Sequence, residues 1–243
     1  MICQKNNNVA IVICGHGSRQ EEYKKDFLKF KRRIKISLVS VDVFHCFLEI
    51  NKPSISSCLK KVAKNYKKVL FFPLLLFSGK HHEIDIKKKI SSFNKEFSEN
   101  IQLLKKLSLI REILPIINSS IRKKIKKDHQ NILITSCSPS IKVNVIKELE
   151  IYTNKLSKNI FNKHMFHSVG EEKMIIEKLN KQNSESNQII LHPVFLFNGY
   201  LYQKNKSVFQ RFLKNKITVL KPIINKRKII ELIRDKLISE IQS

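Results

Sequence analysis

The chain has 243 residues, 47 of them Lys or Arg against 20 Asp or Glu, for a formal charge of +27. Its 42% hydrophobic content supplies a sizeable core and argues against disorder throughout, while five glycines and six prolines exclude collagen-like or linker-dominated architecture. No apolar run approaches the ~20 residues that cross a bilayer, the start lacks the apolar stretch of a secretory leader, and the five scattered cysteines, with no C-x-x-C pair, argue against a disulfide framework or a zinc ribbon. Together these features predict a soluble, cytoplasmic protein.

Short continuous apolar runs alternate with amphipathic stretches of helical length. In the first half, strands are expected at Val9–Cys14, Val39–Leu48, Lys68–Leu75 and Ile101–Lys106. Helices are expected at Gln20–Ile36, with Tyr23, Phe27, Phe30 and Ile34 on one side, then at Pro53–Asn65, His82–Phe97 and Leu109–Lys127. The second half predicts strands at Asn131–Ser136, Lys158–Phe166, Gln188–Phe195 and Lys216–Leu220, with helices at Ser140–Lys158, Glu171–Lys181, Leu201–Lys214 and Lys226–Ile241. Runs bounded this way read as parallel strands buried on both faces, joined by right-handed helical crossovers.

The two halves repeat each other. Lys68–Gly79, which reads KVLFFPLLLFSG, returns as Gln188–Gly199, QIILHPVFLFNG, at an offset of 120 positions (193 minus 73). An eight-stranded barrel also fits the alternation, but a period of half the chain favours duplication of a four-stranded unit. We therefore read two α/β domains, each with a four-stranded parallel sheet flanked by helices, spanning 1–127 and 128–243.

The positive charge is spread along the chain. Lys87-Lys88-Lys89, Lys123 to Lys127 and Lys226-Arg227-Lys228 lie far apart beside isoleucines at helical spacing, as solvated helix faces do. No tryptophan, RNP-like aromatic pair or GxxG loop accompanies it, which weighs against nucleic acid as a partner. An RNA-binding protein remains a competing class; it predicts affinity that falls steeply with salt.

Ligands of open parallel sheets bind beyond the carboxyl ends of the strands. There the first strand is followed by Gly15-His16-Gly17-Ser18-Arg19, the second ends near Glu49, and the third leads to Gly79-Lys80-His81-His82. Imidazoles and a carboxylate thus collect on one rim. At the equivalent positions the second half has Ser136-Cys137-Ser138 and Tyr200-Leu201, so the fold pattern persists without these histidines. That contrast favours a functional role in the first half over turn capping. His45, Cys46 and Cys14 fall within strands and are expected in the core, and His164, His167 and His192 have no partner pattern.

The runs VICGHGSR at 12–19, FLE at 47–49 with Pro53-Ser54, and PLLLFSGKH at 73–81 leading to Asp85-Ile86 resemble the class II chelatases, which insert cobalt or iron into sirohydrochlorin. The likeness is to the long form, in which two chelatase domains are fused and the second has lost its histidines. It implies two tandem flavodoxin-like domains facing each other across a cleft that holds the tetrapyrrole. By this resemblance His16 and His81 match the metal-binding and catalytic histidines and Glu49 the active-site acid. Lys87 replaces a usual proline after Ile86, and His82 is an additional imidazole.

Ser18, Arg19 and Lys80 are the candidates for gripping the carboxylates of the substrate, and Asn198, Tyr200 and Tyr202 for the opposite wall. The implied activity is insertion of Co2+, as substrate, into sirohydrochlorin for cobalamin synthesis, with Fe2+ (for sirohaem) or Ni2+ as alternative ions. No cysteine cluster or histidine-rich tail is present, so neither an iron–sulfur cluster nor a metal-storage tail is expected; the resemblance implies no organic cofactor. The expected partners are sirohydrochlorin and the divalent ion, without membrane or nucleic acid. The sequence leaves the oligomeric state open, and a monomer fits the two-domain form. A non-catalytic tetrapyrrole or metal carrier is the other competing class.

Overall fold

In the computed structural model the described residues are 8–77, 80–96, 100–126, 129–139, 143–181, 187–213 and 217–243, with the side chains of 80–83, 143 and 187 excepted. Ser78 and Gly79, within the repeated motif, lie outside them. No helix among the described residues is long and apolar enough to cross a membrane.

The chain forms two compact units, one of Met1–Leu107 with Arg227–Ser243 and the other of Ser108–Lys226. Each contains a four-stranded parallel sheet, as the apolar runs predict. In the first unit β1 (Val9–Gly15), β2 (Asp42–Phe47), β3 (Lys68–Pro73) and β4 (Ile101–Leu103) lie in the order β2-β1-β3-β4. Helices α1 (Glu21–Ser37), α2 (Ile55–Val62) and α3 (Lys80–Glu96) make the crossovers.

Every residue of β1 is buried, and its side chains alternate between two helical layers. Ala10, Val12 and Cys14 pack with Ile55, Cys58, Leu59 and Val62 of α2 and with Ile86, Ile90 and Phe93 of α3. The opposite face meets α1, which buries the expected Tyr23, Phe27, Phe30 and Ile34. The Phe27 ring lies 4.8 Å from that of Phe47. Glu21 and Glu22 in the first turn of α1 complement its dipole, and the Ser54 hydroxyl caps α2 by accepting the Ser57 N–H at 3.2 Å. Cys14, Cys46 and Cys58 meet in the core, where hydrogen bonding to its two neighbours and burial push the Cys46 thiol well up.

In the second unit β5 (Gln130–Cys137), β6 (Lys163–Ser168), β7 (Asn187–Pro193) and β8 (Ile217–Val219) repeat the order as β6-β5-β7-β8. The crossovers are α5 (Val143–Ser157), α6 (Glu172–Asn180) and α7 (Tyr200–Leu213). Ile132 and Ile134 pack with Ile175, Ile176 and Leu179 of α6 and with Phe209 and Leu213 of α7. Towards α5 the sheet is more polar. Thr135 and Thr153 share a hydrogen bond, and the Tyr152 hydroxyl meets His192 Nε2 at 2.9 Å.

The compact units do not follow the contiguous halves 1–127 and 128–243. A π-helical turn at Leu109–Ile113 and α4 (Leu114–Arg122) belong to the second unit, where α4 packs on α5. Helix α8 (Arg227–Gln242) belongs to the first, where it packs on α1 and the Lys68 ammonium donates to the Glu240 carbonyl at 3.3 Å. Each fourth strand therefore sends its chain out of the unit that contains it.

Element limits differ from the sequence expectations for local reasons. β2 starts at Asp42 rather than Val39, because the Val41 N–H closes a turn onto the Leu38 carbonyl. β6 starts at Lys163 rather than Lys158, because α5 runs to Ser157 and Asn159 then turns the chain at φ +59°. β4 ends at Leu103 rather than Lys106; its partner β3 ends in Pro73, which has no N–H to extend a ladder.

Candidate functional site

The order β2-β1-β3-β4 reverses direction between β1 and β3, the switch point at whose carboxyl edge such sheets bind ligands. β1 leaves the core there through Gly15-His16-Gly17. A Cβ on Gly15 would lie 2.7 Å from the Phe27 ring and 3.0 Å from the Tyr23 hydroxyl, so this glycine lets α1 close over the strand end. Gly17 has φ +100°, and a Cβ there would lie 2.0 Å from the Glu49 carbonyl oxygen. The histidine between them is exposed.

The Gly17 N–H donates to the Tyr23 hydroxyl at 3.1 Å. Burial pushes that phenol up to about 12, partly offset by the Gly17 amide, so it stays a neutral support. The His16 Nδ1–H donates to the Gly17 carbonyl at 3.3 Å, a bond that fixes the neutral ring as the Nδ1–H tautomer.

The loop after β2 clasps this turn. Leu48 N–H donates to the Gly15 carbonyl at 2.9 Å and Glu49 N–H to the His16 carbonyl at 3.0 Å. Ser18 N–H donates to Asn51 Oδ1 at 2.7 Å, and the Ser18 hydroxyl accepts the Gln20 N–H at 3.2 Å. The backbones of His16 and Glu49 are thus directly hydrogen-bonded, and both side chains are exposed at adjacent strand ends. Arg19 is exposed beside them. Within the loop Ile50 has φ +63°, a conformation that costs a β-branched residue about 1–3 kcal/mol.

Gly17→Ala therefore adds a side chain where both the backbone angle and the neighbouring carbonyl forbid one. It is expected to lower Tm by about 5–10 °C, for a cost of ~2–3 kcal/mol, in a thermal unfolding scan of the full chain.

Lys80 and His81 stand in the first turn of α3, the helix that follows β3. Because β3 pairs with β1, that turn is on the same carboxyl edge as His16. Their side chains, like that of His82, lie outside the described residues. No group of three or more His, Cys, Asp or Glu side chains is arranged to hold a metal ion among the described residues.

In the second unit Asn198 is half-buried and its Oδ1 accepts from Gln203 Nε2, while Tyr200 is exposed at the start of α7. Tyr202 is not available as a wall. It is buried and its hydroxyl donates to the Leu220 carbonyl at 3.1 Å, because it falls on the core side of α7 two residues after Tyr200. His45 is half-buried between the Phe27 and Phe47 rings, and burial lowers its basicity. Cys14 and Cys46 are in the core, as their strand positions predict.

Sequence reasoning missed Tyr23 and Asn51 as supports of the histidine turn, and it missed a polar network beneath the second sheet's carboxyl edge. There the Ser136 hydroxyl donates to Asn205 Oδ1 at 2.8 Å, Asn205 Nδ2 donates to Glu172 Oε1 at 3.2 Å, and His167 packs beside them. Burial lowers the His167 basicity. Ser136 pairs with His167 and Pro193 as Cys14 pairs with Cys46 and Pro73, so Ser136 is the counterpart of Cys14, and Gly15-His16-Gly17 correspond to Cys137-Ser138-Pro139, one residue later than the sequence comparison placed them.

A profile of the CbiX family matches residues 10–124. The sirohydrochlorin cobaltochelatase of Methanococcus maripaludis is 36% identical over 80 residues, covering 32% of this chain and 56% of that one. The chain spans about half the length of the curated relatives it matches. Among solved structures, SirB from Bacillus subtilis with Fe3+ superposes with a TM-score of 0.77 at 16% identity, covering 95% of this chain and 94% of that one. The sirohydrochlorin chelatase SirB from Bacillus subtilis subspecies spizizenii in complex with cobalt gives 0.69 at 19% identity, over 93% and 92%. At those identities the likeness shows a shared fold, that of tandem chelatase-like domains. The stretch similar to the CbiX family, residues 10–124, is the part of the chain that holds the histidine turn and its clasp.

Proposed function

We propose that the chain inserts a divalent metal ion, Co2+ foremost, into sirohydrochlorin, and that the unit containing β1 to β4 carries the chemistry. The observation that supports this best is the exposed His16, set between two glycines with separate steric reasons and hydrogen-bonded through its backbone to Glu49. The curated relatives are named cobaltochelatases, which favours cobalt over iron.

Metal insertion strips ligands from the ion and releases two pyrrole protons. Neutral imidazole suits borderline divalent ions and accepts a proton near neutral pH. In this reading His16 Nε2 takes the incoming ion, and His81, from the first turn of α3, supplies the second imidazole. Pyrrole protons pass to an imidazole or to the exposed carboxylate of Glu49, whose backbone amide is hydrogen-bonded to the His16 carbonyl. The tetrapyrrole is a polycarboxylate, so a chain of charge +27 draws it in over long range, and Arg19 and Lys80 stand at the rim to hold it. Ser18, bound to Asn51 and Gln20, shapes this rim.

An anaerobic absorbance assay with sirohydrochlorin and Co2+, Fe2+ or Ni2+ tests the reading. Expected is multiple turnover with Co2+ fastest. Stoichiometric retention without turnover would mean a carrier, and rates equal to the uncatalysed background with all three ions would refute the proposal.

A further inference from the structure

Ile50 stands where the backbone favours another residue. At φ +63° its β-branched side chain crowds its own peptide, whereas glycine or asparagine adopts the same turn easily. Burial does not offset this, because the side chain is 56% exposed. Nor does the side chain close the loop. That is done by the Glu49 amide on the His16 carbonyl, by the Asn51 amide on the Glu49 carbonyl, and by the Asn51 carboxamide on the Ser18 amide.

An apolar side chain is therefore held out, against local preference, one residue from Glu49 and within the clasp on His16. Other exposed groups of this rim, among the described residues, include the His16 imidazole, the Glu49 carboxylate, the Arg19 guanidinium and the Lys52 ammonium. A ligand matched to that mixture has a flat apolar body with anionic groups at its periphery, as a carboxylated tetrapyrrole does. Packing on the body of such a ring removes apolar surface of both partners from water, and that gain exists only in the complex.

We infer that Ile50 is a substrate-positioning residue, its aliphatic side chain packing on the face of the tetrapyrrole and setting the ring over His16. This rests on the chelatase reading above. The backbone strain then belongs to binding rather than to folding, as strain at ligand sites commonly does.

The test compares the full-length chain with Ile50→Asn, Ile50→Gly and Ile50→Leu, by thermal unfolding, by titration with metal-free sirohydrochlorin and by steady-state insertion of Co2+. Ile50→Asn and Ile50→Gly are expected to raise Tm by about 2–4 °C as the left-handed residue is relieved. The same two variants are expected to weaken sirohydrochlorin binding by about 5–10-fold, with a matching rise in KM. Ile50→Leu, which keeps the apolar surface, is expected to bind within about 2-fold of wild type. Wild-type binding that Ile50→Asn and Ile50→Gly equal would overturn this inference and leave the chelatase reading standing. A wild-type chain that binds no sirohydrochlorin would overturn both.

Discussion

His16→Ala is expected to slow Co2+ insertion by about 10²–10⁴-fold, the range associated with loss of a general base or of a metal-bearing imidazole. Its Tm should stay close to wild type. The imidazole is exposed, and the turn that carries it is held by Tyr23, Asn51 and backbone hydrogen bonds, which the substitution leaves in place. Binding of metal-free sirohydrochlorin should persist, because the ring is held by other groups. His81→Ala should show a loss of the same order if the two imidazoles act on one ion. Normal insertion rates in both variants would remove the proposed mechanism.

The second large effect concerns acid. His192 is fully buried in β7 and, through burial first and the Lys226 ammonium second, its basicity falls from the ordinary 6.5 to about 3. Its Nε2 meets the Tyr152 hydroxyl, while Nδ1 has no hydrogen-bond partner among the described residues, so the cationic ring is poorly accommodated. The unfolded chain binds this proton near 6.5 and the folded chain near 3, so the unfolded state holds more protons between those values. Stability from this group is therefore intact above pH 6.5 and is lost progressively as pH falls towards 3. At ~1.4 kcal/mol per decade the full interval corresponds to on the order of 5 kcal/mol. His167, also buried and less basic than usual, works in the same direction. Denaturant titrations between pH 7 and 4 should show a steep decline in the wild-type chain. The double variant His192→Leu with Tyr152→Phe removes both polar partners together and should flatten that slope. An unchanged slope would place the acid sensitivity elsewhere.

Much of the fold was legible because the central strands are continuous apolar runs. Val9–Cys14 and Lys68–Pro73 have few readings other than buried parallel strands, and the spacing of Tyr23, Phe27, Phe30 and Ile34 allows one buried face. The position of His16 followed from the same logic, since a glycine pair beyond a buried strand marks a sharp exit at the ligand-binding edge. What stayed hidden depends on contacts distant in sequence. Nothing near Gly17 announces that Glu49's carbonyl fills the space a side chain would need, and nothing near Tyr23 marks its hydroxyl as the acceptor for the Gly17 amide. His192 looked unremarkable in sequence because its burial comes from Tyr152 and α5, 40 positions away. The membership of α4 and α8 was equally invisible, since an amphipathic helix carries a record of having a partner and none of which partner.

That membership bears on how the molecule assembles. The second unit is one contiguous stretch, Ser108–Lys226, whereas the first must join Lys68 of β3 to Glu240 of α8 across 172 positions. Closing so long a stretch of unfolded chain is entropically costly, and prior collapse of the intervening stretch brings its ends nearer and lowers that cost. On the ribosome, α8 emerges after all of that stretch. Residues of the unit carrying His16 thus leave the ribosome both before and after the whole of the other unit.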